Sequence, residues 1–204
     1  MQELTHGLWH WTAPHPDWRP GAAGTSADWE RDVGCVLYIA EDRATFFDPL
    51  VPEDAGAFWG RTDALVAGRS VQVLTTVRWH ARSREEVICR YGASTSRART
   101  ALAPSIVPLR ITGAEEVIFW LPRLGTLIPG DRLIGGGADA VRVCPQSWLD
   151  YLPSNMTVAE LRERLTILLE LPVERIMLSH GRPVLNDGRA ALARALIGPI
   201  DNAR

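Results

Sequence analysis

The order of short β-rich runs and longer helical patterns constrains this sequence more than any other feature. Runs of branched and aromatic residues bounded by Gly, Pro or Asp predict strands, and apolar residues at helical spacing predict helices. The strands come in two groups, with helices after the fourth strand, before the last strand and at the end of the chain. This order favours two sheets sandwiched between helices over a regular βαβ repeat, so we predict an α+β fold. The predicted strands are 5–11, 33–40, 44–47, 70–75, 106–111, 117–121, 126–128 and 175–179, and the predicted helices are 54–66, 84–91, 158–171 and 189–196.

Two of these helices begin with the signature of a capping box. The sequences Ser-Arg-Glu-Glu at 83–86 and Thr-Val-Ala-Glu at 157–160 each place a Glu three residues after a hydroxyl side chain. The hydroxyl can accept the amide of the Glu, while the Glu reaches back to the amide of the cap residue. We therefore predict well-defined helix starts at both positions.

Composition excludes several classes of protein. The chain has 204 residues and a formal net charge of -2, and its 22 basic residues are all arginine, spread along the chain rather than gathered in a stripe. A nucleic-acid partner is therefore not expected, and the lack of lysine excludes Schiff-base chemistry and the Walker phosphate loop. No apolar run approaches the ~20 residues of a membrane helix. We expect a single domain over residues 1–204 with no membrane or nucleic-acid partner.

The cysteines indicate a reducing environment. Cys35, Cys89 and Cys144 stand far apart with no CxxC spacing, and their odd number cannot pair completely within one chain. The first residues lack a basic segment followed by an apolar run, which a secretory signal would have. We expect buried, reduced thiols without an intramolecular disulfide, and a cytoplasmic location.

Histidine, the side chain most often used for metal binding and acid-base chemistry, is rare, with five in the whole chain. His80 and His180 each follow a β-rich run, and so does Asp131 in a Gly-Asp pair. Rigid strand ends commonly point functional side chains outward, so we expect strands 70–75, 117–121 and 175–179 to end at one cleft. Two imidazoles and a carboxylate suit zinc or a similar divalent ion, and three protein ligands leave one position open, as in catalytic sites.

Four short stretches resemble motifs of the metallo-β-lactamase superfamily, both in their residues and in their order along the chain. They are the strand-loop-helix run at 75–83, the preceding Phe-Phe-Asp-Pro at 46–49, the Gly-Asp at 130–131 and the His-Gly at 180–181. The resemblance spans nearly the whole chain and implies an αββα four-layer sandwich of two mixed β-sheets flanked by helices. It also implies a metal-dependent hydrolase acting on a small molecule.

The metal-binding loop of that family, Thr-His-x-His-x-Asp-His, is degenerate here. Aligned on Thr75, the chain has Thr76 and Arg78 in place of the first two histidines, His80 in place of the Asp and Ala81 in place of the last histidine. With a one-residue deletion, His80 matches that last histidine instead. Either alignment makes His80 a ligand of the second metal position.

Most ligands of the first metal position are missing, because no histidine lies between His80 and His180. The resemblance therefore implies at most one divalent ion, zinc for example, held by His80, Asp131 and His180. Asp48 matches the family's strand-end Asp and is expected behind the ligands, where it would orient them.

Three further side chains are candidates for contact with a substrate. Arg78, Arg82 and Trp79 surround His80 in the loop, and an arginine fork suits an anionic group. The tryptophans of the first 18 residues, with Trp79, are candidates for the walls of a pocket.

A second reading keeps the fold and removes the metal. In this reading Arg78 occupies the lost first metal position and pairs with Asp131 or Asp48, because a buried cation requires a partner. The chain would then be a catalytically inactive, metal-free domain that binds a ligand or a protein. Sequence alone leaves both alternatives open, and it does not predict the oligomeric state.

Overall fold

Two mixed β-sheets form the centre of the fold. The computed structural model describes residues 1–21, 25, 29–40, 42–95 and 102–198. The first sheet has six strands in sequence order, with β1 to β4 antiparallel and β4, β5 and β6 parallel. Its strands are β1 (Gln2–Thr5), β2 (Leu8–Pro14), β3 (Asp32–Ala40), β4 (Arg43–Phe47), β5 (Ser70–Leu74) and β6 (Ser94–Thr95).

The second sheet has four strands in the order β12-β9-β8-β7, in which only β12 and β9 are parallel. A separate hairpin pairs β10 with β11. These strands are β7 (Val107–Ile111), β8 (Glu116–Leu121), β9 (Thr126–Ile128), β10 (Leu133–Gly135), β11 (Val141–Val143) and β12 (Arg175–Ile176). The helices are α1 (Ala55–Val66), α2 (Arg84–Tyr91), α3 (Val158–Leu165) and α4 (Gly188–Ile197).

Within the described residues, three apolar cores lie between these elements. Along β3, Cys35 and Leu37 belong to a core that also contains Phe58 of α1. Tyr38, on the opposite face of the same strand, lies between the two sheets with Phe119 of β8. A third core, on the outer face of the second sheet, contains buried side chains of α3 and α4. The layers are therefore helix, sheet, sheet and helix, which confirms the predicted αββα sandwich.

The two predicted capping boxes have different outcomes. At Thr157 the box is confirmed, because the hydroxyl accepts the Glu160 amide and the Glu160 carboxylate accepts the Thr157 amide. At Ser83 the prediction is wrong, since Ser83 makes no side-chain cap and its Oγ accepts the Val51 amide at 3.1 Å instead. The hydroxyl thus ties the start of α2 to the segment after β4.

Several predicted boundaries also differ. The strand predicted at 5–11 is a hairpin of β1 and β2, because Gly7 adopts a positive φ of 77° in the turn. The helix predicted at 158–171 is α-helical only to Leu165 and continues as a 3₁₀ turn over Thr166–Glu170. The last strand ends at Ile176, because the chain then leaves the second sheet and reaches β3 of the first, where His180 forms a bridge with Val33.

No helix within the described ranges is both long enough and apolar enough to cross a membrane.

Candidate metal-binding site

Three buried side chains meet where strands of both sheets end. His80 lies in a 3₁₀ turn (Arg78–Ala81) after β5, Asp131 lies between β9 and β10, and His180 follows β12. One donor atom from each lies within 4.8 Å of the others. The structure therefore brings the three predicted ligands together, and their binding of a metal stays a prediction.

One carboxylate oxygen is the centre of this group. Asp131 Oδ1 lies 3.0 Å from His80 Nε2 and 3.3 Å from His180 Nε2. Neither contact has hydrogen-bond geometry, and Oδ1 is buried without a hydrogen-bond partner among the described residues. One carboxylate oxygen and two imidazole nitrogens lie close together here without hydrogen-bonding one another. A cation bound by all three atoms would satisfy them.

Asp48 fixes the orientation of His80 from behind. Its buried carboxylate accepts the Thr76 amide at 2.9 Å and the Thr76 hydroxyl at 2.5 Å, and its Oδ2 lies 2.9 Å from His80 Nδ1. Because Nδ1 is held by the carboxylate, the other ring nitrogen, Nε2, faces Asp131. A carboxylate behind a ligating histidine fixes the ring and raises its basicity.

The buried charges shift the pKa values of all three clustered side chains. Burial alone would lower the pKa of His80, but the neighbouring carboxylates Asp131 and Asp48 outweigh it and raise the pKa to about 9. Burial opposes ionisation of Asp131, yet His80 and His180 hold its pKa well below the usual range. The pKa of His180 is lowered, mainly by burial. Asp131 is thus a carboxylate and His180 a neutral imidazole near neutral pH.

Trp79 contacts the cluster directly. Its Nε1 donates to the second carboxylate oxygen, Asp131 Oδ2, at 2.6 Å, although the side chain is 36% exposed. This hydrogen bond occupies Oδ2 and leaves Oδ1 facing the two histidines. The predicted contact of Trp79 with a substrate stays a prediction, but the hydrogen bond to Asp131 was not foreseen.

Glu116 positions the Asp131 loop and was also not foreseen. Its buried carboxylate accepts the amides of Gly130, Asp131 and Arg132 at 2.8 to 3.0 Å. The loop passes so close to the segment after β5 that a Cβ at Gly130 would lie 2.6 Å from Thr76 Oγ1. Glu116 starts β8, which runs antiparallel to β9, so the expectation that strand 117–121 ends at the cleft is wrong. A lone glutamate at a strand start gives no sequence signal for this role.

The two loop arginines have different environments. Arg82 donates to Gly34 O at 3.3 Å, Asp48 O at 3.1 Å and Ser179 Oγ at 2.7 Å, so it joins the segments that carry Asp48 and His180. Arg78 is exposed, and its guanidinium lies 5.8 Å from the centre of the Trp79 ring. The expected pairing of Arg78 with Asp131 or Asp48 is wrong, because the turn directs Arg78 outward.

The cluster forms the floor of a cleft of about 510 Å³. Arg78, Trp79 and Arg82 line it, and the walls also include His15, Asp17, Trp29, Trp148 and Tyr151. The rings of Trp29 and Trp148 both contact the His180 ring edge to face, at centroid distances of 5.5 and 5.2 Å.

The early tryptophans have a different place from the one expected. Trp9 and Trp11 belong to the core between the first sheet and its helices, and Trp18 Nε1 bonds the Trp29 carbonyl at 2.8 Å. Trp29 and Trp148 form the wall instead, because segments distant in sequence bring their rings against His180.

Comparison with known proteins gives a clear result only for structure. No protein-family model matches the chain, and no curated protein has a significantly similar sequence. Among solved structures, a metallo-β-lactamase from Erythrobacter litoralis is similar with a TM-score of 0.61 and 17% identity, over 97% of this chain and 90% of that one. An NDM/FIM-1-like metallo-β-lactamase from the same organism, in a mono-zinc form, has a TM-score of 0.61 and 15% identity, over 96% and 94%. The structure titled VMB-1 has a TM-score of 0.62 and 11% identity, over 96% and 94%.

Proposed function

This chain has the metallo-β-lactamase fold, and we propose that it is a metal-dependent hydrolase of a small molecule with a single divalent ion, zinc in the first instance. His80, Asp131 and His180 hold the ion. The observation that carries the proposal is the convergence of their three donor atoms within 4.8 Å around a buried carboxylate oxygen that has no hydrogen-bond partner among the described residues.

The donor set fits zinc. Two imidazole nitrogens and one carboxylate oxygen are ordinary zinc ligands, and three protein ligands leave a position for a substrate or solvent. His80 has the carboxylate partner that ligating histidines usually have, because Asp48 holds its Nδ1. His180 lacks such a partner among the described residues, and its ring is held between Trp29 and Trp148.

A single ion follows from the residues that replace the other ligands. Thr76 hydrogen-bonds to Asp48, and Arg78 is exposed on the rim of the cleft. In the described part of the chain, the only group of three or more metal-ligating side chains is His80, Asp131 and His180. A mono-zinc form is named for one similar structure, which supports the chemistry of one ion on this fold.

A zinc ion supplies a Lewis acid that polarises a carbonyl or phosphoryl oxygen. The chain's own residues hold and surround it. Asp48 and Trp79 fix the orientations of His80 and Asp131, and aromatic side chains line the cleft around them. Arg78 on the rim is placed to meet an anionic part of the substrate.

One observation favours a second function, a metal-free ligand-binding domain. His80 lies between two carboxylates, 2.9 Å from Asp48 and 3.0 Å from Asp131. A protonated imidazole balances both charges without an ion. In that case the cleft binds its ligand and catalyses nothing.

The metal content of the purified protein tests the proposal. Protein isolated without added zinc should contain about one equivalent of divalent metal by elemental analysis, and His180→Ala should lose it. The matched control is His6→Ala, since His6 is exposed in the turn between β1 and β2. Metal absent from all three proteins, and not taken up from added zinc, would contradict the proposal and favour the metal-free domain.

A further inference from the structure

The composition of the cleft wall is unusual for a binding site. Most pockets for small molecules are lined by a mixture of aliphatic and aromatic side chains with a few neutral polar groups. Among the described residues that line this cleft, there is no aliphatic side chain and no Ser, Thr, Asn or Gln. Its side chains are aromatic rings, histidines, arginines and two aspartates.

The rings supply surface for another ring. Trp79 and Tyr151 contact each other edge to face at a centroid distance of 5.4 Å, and their side chains are 36% and 50% exposed. Trp29 and Trp148 contact His180 edge to face, so no two rings of the cleft walls stack face to face among the described aromatic pairs. The Arg78 guanidinium lies 5.8 Å from the centre of the Trp79 ring, and that of Arg132 lies 5.8 Å from the Trp79 ring and 5.9 Å from the Tyr151 ring. The part of the Trp79 and Tyr151 rings that is exposed to solvent offers a surface that favours a planar, aromatic ligand.

The charged side chains on the rim of the cleft determine which charge a ligand can carry. Both terminal nitrogens of Arg82 donate to protein acceptors, whereas Arg78 has only the ring contact with Trp79 among its described interactions. Arg78 is therefore a cation available to a ligand. Asp17 lies on the same rim, and it opposes an anion in its own vicinity.

From these features we infer that the cleft takes a planar aromatic compound that carries an anionic oxygen group, such as a carboxylate or a phosphate. The ring contacts the aromatic walls, and the anionic group meets Arg78. An aliphatic chain would find no aliphatic partner, and a sugar would find few neutral hydroxyl or amide partners. The volume of about 510 Å³ accommodates one or two fused rings. This inference rests on the proposed function only in that it assigns a ligand class to the same site.

Calorimetric titration with three related probes tests it. The probes are 2-naphthoate, its neutral analogue 2-naphthamide and the non-aromatic anion cyclohexanecarboxylate. We expect 2-naphthoate to bind about tenfold more tightly than either of the other two, because each lacks one of the two recognition elements. Equal affinity for 2-naphthoate and cyclohexanecarboxylate would overturn the aromatic part, and equal affinity for 2-naphthoate and 2-naphthamide would overturn the anionic part.

Matched variants locate the binding. Arg78→Gln should weaken 2-naphthoate about tenfold, whereas Arg194→Gln, at an exposed position of α4, should have no effect. Tyr151→Leu should weaken it about threefold or more through loss of the ring, and Tyr151→Phe should not. Equal effects of the two arginine variants, or of the two tyrosine variants, would overturn the placement in this cleft.

Titrations of metal-free and zinc-loaded protein separate this inference from the proposed function. Binding of 2-naphthoate that depends on Arg78, in a protein that takes up no zinc, would support the ligand class and contradict the hydrolase. Zinc uptake without any preference for 2-naphthoate would support the proposed metal site and contradict the ligand class.

Discussion

At the scale of single residues, the two carboxylate oxygens of Asp131 have different neighbours. Asp131 Oδ2 accepts the Trp79 indole, while Oδ1 faces the two histidines. In the proposed metal site, Trp79 is therefore a positioning residue, because it would act on the ion through Asp131. This arrangement favours binding of a metal by Asp131 through Oδ1 alone.

Substitution of Trp79 tests this role. Trp79→Phe keeps a ring but removes the indole donor, so zinc affinity should fall about tenfold or more. The free energy of unfolding of the metal-free protein should fall by about 1 to 3 kcal/mol, because the variant leaves the buried Asp131 Oδ2 without its hydrogen-bond donor. Competition with a chelator measures the affinity, and Trp59→Phe, in α1 on the other side of the first sheet, is the control. Unchanged zinc affinity in Trp79→Phe would exclude the positioning role.

Two arginines four residues apart show how local backbone decides a role. Arg82 has a positive φ of 41° and donates to acceptors from three segments, whereas Arg78 is exposed. Arg82→Ala should lower the free energy of unfolding by about 2 to 3 kcal/mol, because it leaves buried acceptors without a donor. Arg78→Ala should change it by about 0.5 kcal/mol or less. Urea unfolding of both metal-free variants measures the difference, and a loss in Arg78→Ala as large as in Arg82→Ala would restore the buried ion pair expected from sequence.

At the scale of elements, the start of β8 holds the loop that carries Asp131. Three consecutive amides donate to the Glu116 carboxylate. The loop between β9 and β10 thus has a fixed backbone, and the position of Asp131 depends on a strand that contributes no ligand.

Glu116→Gln tests this dependence. The amide nitrogen cannot accept a hydrogen bond, so the variant should lose about 1 to 3 kcal/mol of unfolding free energy and should bind zinc more weakly. The neighbouring Glu115 is exposed, and Glu115→Gln is the matched control. The measurements are denaturant unfolding and zinc titration. Equal behaviour of the two variants would show that the loop does not need the Glu116 carboxylate.

At the scale of the whole molecule, one buried cysteine lies in each of the two outer cores. Cys35 lies in the core of the first sheet with α1 and α2, and Cys144 lies in the core of the second sheet with α3 and α4. Cys89 is exposed, contrary to the expectation that all three thiols are buried. The sequence pattern placed it in a helix correctly but could not tell which face meets solvent.

Thiol reactivity follows from this arrangement. Burial raises the pKa of Cys35 to about 11 and that of Cys144 to about 12, so both are protonated thiols at neutral and mildly alkaline pH. Their reaction should increase only as pH rises towards those values, since the thiolate is the nucleophile. A thiol reagent near neutral pH should therefore modify about one cysteine in the native protein and all three after denaturation. Rapid modification of more than one in the native state would contradict the packing of the cores.

The sequence predicts the layers of the fold and the meeting of His80, Asp131 and His180 better than it predicts the residues that position them. Strand and helix periodicity depends on local spacing, and His80, Asp131 and His180 each follow a β-rich run. Glu116 and Trp148 reach the site through loops and strand pairings distant in sequence, which no local pattern encodes. The early end of the last strand has the same cause, because the chain leaves one sheet for the other at that point.

The proposed function depends on the binding of one ion among His80, Asp131 and His180. Anomalous diffraction at the zinc absorption edge, from crystals of zinc-loaded protein, tests it most directly. We predict a single peak about 2.0 to 2.2 Å from His80 Nε2, His180 Nε2 and an Asp131 carboxylate oxygen. The absence of a peak at this position, or two peaks within the cleft, would contradict it.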